Sequence, residues 1–217
     1  MEDTNESSAR NKCKYVFLAI KPQVFDSVLP KLADHVKEDT VIVSIAAGIT
    51  EEYIMKTTKD KVHTVIVMPN TPFLLGEGAT ALAKGTYTTD EEFEVVKSIF
   101  STGGIAEVVP MDKMKEIIAI NGSSPAFIYL YAKGFIDYAK ENGIDGDAAL
   151  RLFAKSLIGS AKMMTESGKT IDELIKMVSS PGGTTLAGLD GLYQGKLTDV
   201  VKDCCERCTK RAYELSK

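Results

Sequence analysis

The residues best suited to chemistry lie in one short stretch, Ser-Ser-Pro-Gly-Gly-Thr-Thr at positions 179–185. Its proline and two glycines predict a tight turn, and the residues that follow have helical spacing. Because the first N–H groups of a helix lack an intrahelical acceptor, Gly183, Thr184 and Thr185 would offer free donors. Such donors favour an anion, so the stretch predicts a carboxylate site, to which Ser180 adds a hydroxyl. The simpler alternative is an ordinary helix start that binds nothing.

The elements that position this stretch fall into two halves of the chain, which differ in the pattern of their apolar residues. In the first half, continuous apolar runs alternate with helix-spaced segments, which is typical of strands buried on both faces of a parallel sheet. This pattern predicts a parallel α/β sheet over residues 1–110. The expected strands lie near 15–20, 40–47, 62–68, 79–83 and 105–109, with helices near 23–36, from 50 onward and at 90–101.

From residue 111 onward the apolar spacing is helical almost throughout. Glycine, proline and serine clusters break this pattern at intervals and mark the helix ends. An all-helical domain over residues 111–217 is therefore expected to follow the α/β domain. Its predicted helices are 112–121, 125–141, 145–167, 170–178, 184–193 and 197–216.

The composition excludes several classes of function. The chain has 217 residues, is 44% apolar and carries a net charge of -4, which offers no attraction to nucleic acid or to an anionic membrane. Its apolar runs are too short to span a bilayer. Residues 1–11 are polar and lack an apolar signal core. We therefore expect a cytoplasmic protein with neither nucleic acid nor membrane as a partner.

The cysteines and histidines form no metal motif. Zinc requires four ligands, and neither His35 nor His63 lies at a useful spacing from the cysteines. We therefore expect no metal site, free cysteines on a C-terminal helix, and histidines on the surface or in loops. The cysteines are Cys13, Cys204, Cys205 and Cys208.

Several motifs together resemble those of the pyrroline-5-carboxylate reductase family. They occur in the family's order and at its usual spacing, and they cover the chain from about residue 5 to residue 215. The resemblance implies a Rossmann-type nucleotide-binding domain followed by a helical domain for dimerisation and substrate binding. The matching segments are 17–23, 44–49, 68–72 with 76–80, 121–127 and 179–185.

The resemblance also implies an activity, namely the NADH- or NADPH-dependent reduction of 1-pyrroline-5-carboxylate to L-proline, the last step of proline biosynthesis. Positions that match the family's substrate site are Ser180, Gly183, Thr184, Thr185 and Asn70. Positions that match its cofactor site are Ala19, Lys21, Pro22, Ile45, Ala46 and Ala47. We choose Thr185 as the catalytic group bonded to the reacting nitrogen, because a hydroxyl can donate or accept. Positioning on the cofactor can supply much of the remaining rate enhancement.

One motif expected of a dinucleotide-binding fold is absent from the sequence. Such folds open with a strand, Gly-x-Gly-x-x-Gly and a helix, whereas the only Gly-x-Gly pair here is Gly76 and Gly78, followed by Ala81. The first apolar run already matches the family's third strand, so we expect an N-terminally truncated member, a partial Rossmann-type sheet, weak cofactor binding and slow turnover. Two explanations stay open: an incomplete gene product, or a fragment retained as a non-catalytic oligomerisation module.

Two other functions share this layout. A β-hydroxyacid dehydrogenase would need a helical lysine with asparagine four residues later, but aspartate follows Lys133 and glutamate follows Lys162 at that spacing. The second is a binding or assembly module, because the apolar helices at 127–139 and 148–164 have wider apolar faces than a small domain needs. The alternative is that these helices simply bury each other. The resemblance implies interlocked dimers through this region, so we expect a homo-oligomer through the helical domain.

Overall fold

The computed structural model describes residues 13–216, so the expectation for the polar segment 1–11 lies outside the described residues. A five-stranded sheet organises the first half, with its strands in the order of the sequence. The strands are β1, Tyr15–Leu18; β2, Val41–Ser44; β3, His63–Met68; β4, Gly78–Lys84; and β5, Gly104–Val108.

The sheet is mixed rather than parallel throughout. The first three strands are parallel, as predicted, but β4 runs antiparallel to β3, with Met68 opposite Ala81. β5 is parallel to β4. The predicted parallel α/β sheet is therefore confirmed in its main part, and the antiparallel direction of β4 is the exception. The link at 69–77 contains only the 3-10 turn Thr71–Leu75, whereas a parallel crossover needs a dozen residues or more.

Three helices accompany these strands: α1, Phe25–Ala33; α2, Glu51–Thr57; and α3, Asp90–Ser101. Apolar side chains cover both faces of the sheet. On one face Ile42 and Ile66 pack in a buried cluster with Phe25 of α1. On the other face Val43 belongs to a cluster with Phe93 of α3, among other residues. Burial on both faces explains why the strands have continuous rather than alternating apolar sequences.

The second half is helical, as predicted, apart from its beginning. The expected helix at 112–121 is not a continuous α-helix: Met111–Lys113 form a 3-10 turn and Ile118–Gly122 a π-helix. The wider turn is closed by the Ser123 N–H, which donates to the Ile118 carbonyl at 2.8 Å. The helices that follow are α4, Ser124–Glu141; α5, Gly146–Glu166; α6, Ile171–Met177; α7, Thr184–Gln194; and α8, Leu197–Leu215.

The described chain divides into two compact units. Unit 1 comprises the described residues up to Pro125 together with those from Cys205 on, and unit 2 comprises Ala126–Cys204. The last turns of α8 belong to unit 1, where Ala212 is buried in the same cluster as Ile42. The domain boundary at residue 110 stays a prediction. Across residues 13–216, no helix is both long enough and apolar enough to cross a membrane.

Candidate functional site

The stretch predicted to bind a carboxylate forms a turn that opens α7. Gly182 has φ +70°, a conformation that glycine adopts without strain, and Gly183 precedes the helix in an extended conformation. The Gly183 N–H donates to the Ser180 carbonyl at 2.9 Å, so the prediction of a free donor there is wrong. Thr184 and Thr185 are the first two helical residues and both are exposed. The turn and the helix start are thus confirmed.

The start of α7 differs chemically from several other helix starts of this chain. The side chains of Thr50, Thr89, Asp145 and Thr170 each accept a hydrogen bond from the first turn of the helix that follows. Gly183 has no side chain, and no side chain caps α7. The first N–H groups of α7 are therefore available to an external acceptor such as a carboxylate.

The residues predicted to contact a cofactor follow two neighbouring strands of unit 1. Leu18 and Ser44, the last residues of β1 and β2, are partners in the parallel ladder. The Ile45 N–H donates to the Leu18 carbonyl at 3.4 Å, which keeps the two strand ends together. The structure therefore brings both predicted groups to one edge of the sheet: Ala19, Lys21 and Pro22 after β1, and Ile45, Ala46 and Ala47 after β2.

A cavity of about 270 Å³ opens at this edge of unit 1. Its wall includes Ala46, Ile66 and Met68, which are buried, and the loop residue Gly48. Gly48 has φ +80°, and an added Cβ would lie 3.3 Å from the Leu215 carbonyl oxygen of α8. The end of α8 therefore lies directly beside the loop that follows β2. Of the predicted cofactor residues, Ala46 alone contributes to this wall.

Asn70 lies in unit 1, in the loop between β3 and β4, whereas Ser180, Gly183, Thr184 and Thr185 lie in unit 2. Its side-chain Oδ1 accepts a hydrogen bond from the Ala79 N–H at 2.9 Å. This bond ties the end of the loop to the start of β4, and the side chain is half-buried. The side chain of Asn70 is thus engaged in shaping the loop, and its role in substrate binding stays a prediction.

Sequence reasoning missed Asn121, a buried amide that contacts the same loop. Its Nδ2 donates to the Met68 carbonyl at 2.7 Å and to the Ala79 carbonyl at 3.0 Å. The sequence singles out Asn121 only as the first residue of the segment 121–127. The signal that could have identified it is a single amide directly after the apolar run 117–120. Buried polar groups are normally hydrogen-bonded, so such a residue indicates a structural tie.

An ion cluster around a buried carboxylate lies at the opposite edge of the sheet. Glu92 is 4% exposed, and its carboxylate contacts Lys14 Nζ at 2.9 Å and His63 Nδ1 at 2.6 Å. Burial raises the pKa of Glu92, but hydrogen bonds from Lys14, the Thr89 N–H and His63 outweigh it and lower the pKa from 4.5 to about 2. The expectation of a surface or loop histidine is wrong for His63, which begins β3 and is paired.

The cysteines are free thiols, and three of them lie on α8 as predicted. The Cys208 thiol donates to the Ser123 hydroxyl at 3.4 Å within unit 1. Over the described part of the chain, no group of three or more His, Cys, Asp or Glu side chains is arranged to hold a metal ion.

Two family models match the sequence. Residues 111–215 match the model described as pyrroline-5-carboxylate reductase dimerisation. Residues 1–48 match the model described as NADP oxidoreductase coenzyme F420-dependent. The two matches fall in the two regions that differ in sequence character.

Curated relatives and solved structures match nearly the whole chain. The pyrroline-5-carboxylate reductase of Corynebacterium melassecola is 35% identical over 99% of this chain and 80% of its own length. The crystal structure of Plasmodium falciparum pyrroline carboxylate reductase with NADP bound has a TM-score of 0.91 at 26% identity, covering 97% of this chain and 80% of that one. A Coxiella burnetii pyrroline-5-carboxylate reductase has a TM-score of 0.90 at 30% identity, covering 100% and 80%.

Proposed function

The chain belongs to the pyrroline-5-carboxylate reductase family, and from this premise we propose that it reduces 1-pyrroline-5-carboxylate to L-proline with NADPH or NADH. It is an oxidoreductase of the nicotinamide-dependent class. The observation that carries the proposal is the 35% identity to a named reductase over 99% of the chain. The assignments of individual residues below are part of the proposal.

The residues of unit 1 fit a nicotinamide cofactor. Cofactors of open α/β sheets bind in the crevice beyond the carboxyl ends of parallel strands, where the loops after β1 and β2 lie. The cavity of about 270 Å³ at this edge is slightly smaller than typical ligand pockets, so it suits one ring of a dinucleotide rather than the whole. This placement supports a cofactor role for Ala19, Lys21, Pro22, Ile45, Ala46 and Ala47.

The residues of unit 2 fit a small carboxylate. In the proposed complex, the uncapped N–H groups at Thr184 and Thr185 bind the substrate carboxylate, with the Ser180 hydroxyl as a further donor. A bound nicotinamide cofactor supplies the hydride. Reduction of the C=N bond adds this hydride to carbon and a proton to nitrogen. Thr185 holds the ring nitrogen through its hydroxyl, which can donate or accept as the nitrogen becomes protonated. Gly183, in the turn before these residues, and Asn70, in unit 1, stay proposed substrate-binding residues.

Exposed apolar surface supports a homo-oligomer formed through the helical region. On α4, Tyr129 is 63% and Leu130 71% exposed, and on α5 Leu152 is 71% exposed. Apolar surface of this kind indicates a protein partner, and residues 111–215 match a dimerisation model. A non-catalytic oligomerisation module is the second candidate function, favoured by the same surface.

The four free cysteines support a reducing compartment, so we propose a cytoplasmic location.

Titration with cofactor and proline tests the proposed reductase and distinguishes it from the module. The purified chain is mixed with the cyclic imine and either NADPH or NADH, proline is identified by mass spectrometry, and both dissociation constants are measured by calorimetry. We expect proline to form and to bind. A chain that forms oligomers but binds neither ligand would support the module instead. The expected weak cofactor binding stays a prediction, which a micromolar dissociation constant would contradict.

Thr185→Val tests the role of the hydroxyl. The change removes one hydrogen bond while keeping the helix start, so the dissociation constant of proline should rise by roughly tenfold. Thr198→Val is the matched control, because Thr198 is likewise exposed in the first turn of a helix, α8. Equal proline affinity for Thr185→Val and the wild type would remove Thr185 from the site.

A further inference from the structure

Asn121 connects three parts of unit 1 through hydrogen bonds. Its side-chain amide donates to the Met68 carbonyl at 2.7 Å, at the end of β3, and to the Ala79 carbonyl at 3.0 Å, in β4. Asn121 itself lies in the π-helix Ile118–Gly122 and is 8% exposed. The side chain therefore bridges the two antiparallel strands at the point where the loop 69–77 leaves the sheet.

The loop is shaped from both of its ends by this arrangement. The Ala79 residue that accepts from Asn121 donates its own N–H to Asn70 Oδ1 at 2.9 Å. The side chain of Met68 lines the cavity at the edge of the sheet, and its Sδ lies 3.2 Å from the position of a Cβ added to Gly122. The π-helix thus contacts the cavity wall and, through Ala79, the loop residue Asn70.

We infer that Asn121 is a positioning residue, which aligns Met68 and the Asn70 loop for binding of the nicotinamide cofactor and the cyclic imine. This inference rests on the proposed reductase function. Asn121 acts through the backbone and not by touching the ligand, because it is 8% exposed and its side-chain amide donates to two backbone carbonyls. The positioning role requires two N–H donors in one fixed geometry, which a side-chain amide provides. The π-helical position of Asn121 agrees with this role, because π-helical turns are frequent at functional sites.

The proposed role of Asn121 requires an amide side chain, because only its N–H groups can donate to both backbone carbonyls. An aspartate carboxylate of the same shape has no N–H group and would place negative oxygen atoms against two carbonyl groups. Asn121→Asp should therefore be more harmful than Asn121→Ala at neutral pH. It should partly recover as the pH falls, because a protonated carboxyl regains one donor.

Thr88 offers a matched control at the other end of β3. It is 4% exposed, and its hydroxyl accepts from the Thr64 N–H at 2.8 Å and donates to the Thr64 carbonyl at 2.6 Å. Thr88→Ala and Asn121→Ala each remove two buried hydrogen bonds to the backbone of the sheet. The two variants should lose comparable stability, so a difference in ligand binding isolates the effect of position.

The experiment measures three quantities on the full chain: the thermal midpoint, the dissociation constants of NADPH and proline, and hydrogen exchange of the Ala79 amide. Asn121→Ala should weaken ligand binding by roughly tenfold or more, since a small misplacement of binding groups is costly. It should also speed exchange at Ala79. Thr88→Ala should lower the midpoint while leaving both dissociation constants unchanged.

The outcomes separate the inference from the proposed function. Wild-type affinities in Asn121→Ala, or an equal loss of affinity in Thr88→Ala, would overturn the positioning role. Unchanged exchange at Ala79 would overturn it as well, whatever the ligands do. A wild-type chain that neither binds proline nor reduces the imine would instead overturn the proposed function, and with it the ligand part of this inference.

Discussion

Replacing Glu92 by glutamine removes the buried negative charge of the ion cluster while keeping the shape of the side chain. In the folded protein its pKa is lowered from 4.5 to about 2, so the ionised carboxylate stabilises the fold. The difference corresponds to about 3 kcal/mol at neutral pH, because one pKa unit equals about 1.4 kcal/mol. Glutamine can still accept hydrogen bonds, so we expect Glu92→Gln to cost about 2–3 kcal/mol. For a chain of this length the thermal midpoint should fall by roughly 5–10 °C.

The pH dependence is the decisive measurement for this variant. A lowered pKa means that the stabilisation is complete above the unfolded value of 4.5 and disappears as the pH falls towards about 2. The gap between wild type and Glu92→Gln should therefore close over that interval. Unfolding is followed by circular dichroism, since the chain has no tryptophan. Glu91→Gln, an exposed change in the same helical turn, is the control. A pH-independent gap, or an equal loss in Glu91→Gln, would refute the reasoning.

Two further stability predictions follow from the packing of unit 1. Gly103→Ala should cost about 1–3 kcal/mol in denaturant unfolding, because an added Cβ would lie 2.3 Å from Phe73 Cε2. Gly134→Ala is its control, because an added Cβ there would meet nothing within 4 Å beyond the adjacent backbone of its own helix, and equal losses would contradict the prediction. Thr50→Ala should cost about 1 kcal/mol, because it removes the acceptor for the Tyr53 N–H at 3.2 Å. Thr50→Ser keeps the hydroxyl and should retain wild-type stability, whereas unchanged stability in Thr50→Ala would show that the cap contributes nothing.

The strands of this fold could be predicted because a strand buried on both faces has an unbroken run of apolar residues. Val41, Ile42 and Val43 are all completely buried, which accounts for the unbroken apolar run. The composition of β4 does not indicate its direction, because a strand buries the same apolar side chains whether it runs parallel or antiparallel to its neighbour. The length of the link 69–77 was the relevant signal, and it indicated a direct return rather than a helical crossover.

The packing of α8 shows a second limit. Its amphipathic sequence predicts a helix with one buried face, but amphipathicity does not identify the surface that the face contacts. The cluster around Ala212 belongs to unit 1, although most of the neighbouring sequence is in unit 2. Such long-range pairing depends on tertiary structure and has no local signal.

The parts of the site that depend on a local turn could be predicted from the sequence. The parts that depend on contacts between distant residues could not. Pro181 and the two glycines indicated the turn before Thr184, and the helix begins there. The hydrogen bond from Gly183 to the Ser180 carbonyl was missed, since a turn uses donors that a simple helix start would leave free. Asn121 was missed because its partners lie more than forty residues away, on β3 and β4.

The return of the last helix to unit 1 has a consequence for synthesis. On the ribosome, the five strands emerge long before Cys208, Ala212 and Tyr213, which complete the packing around Ser123, Ile42 and Glu116. Part of the apolar surface of nascent unit 1 therefore stays exposed until α8 has been translated and can pack against it. During that delay the partly folded chain is the species most exposed to aggregation and to chaperones.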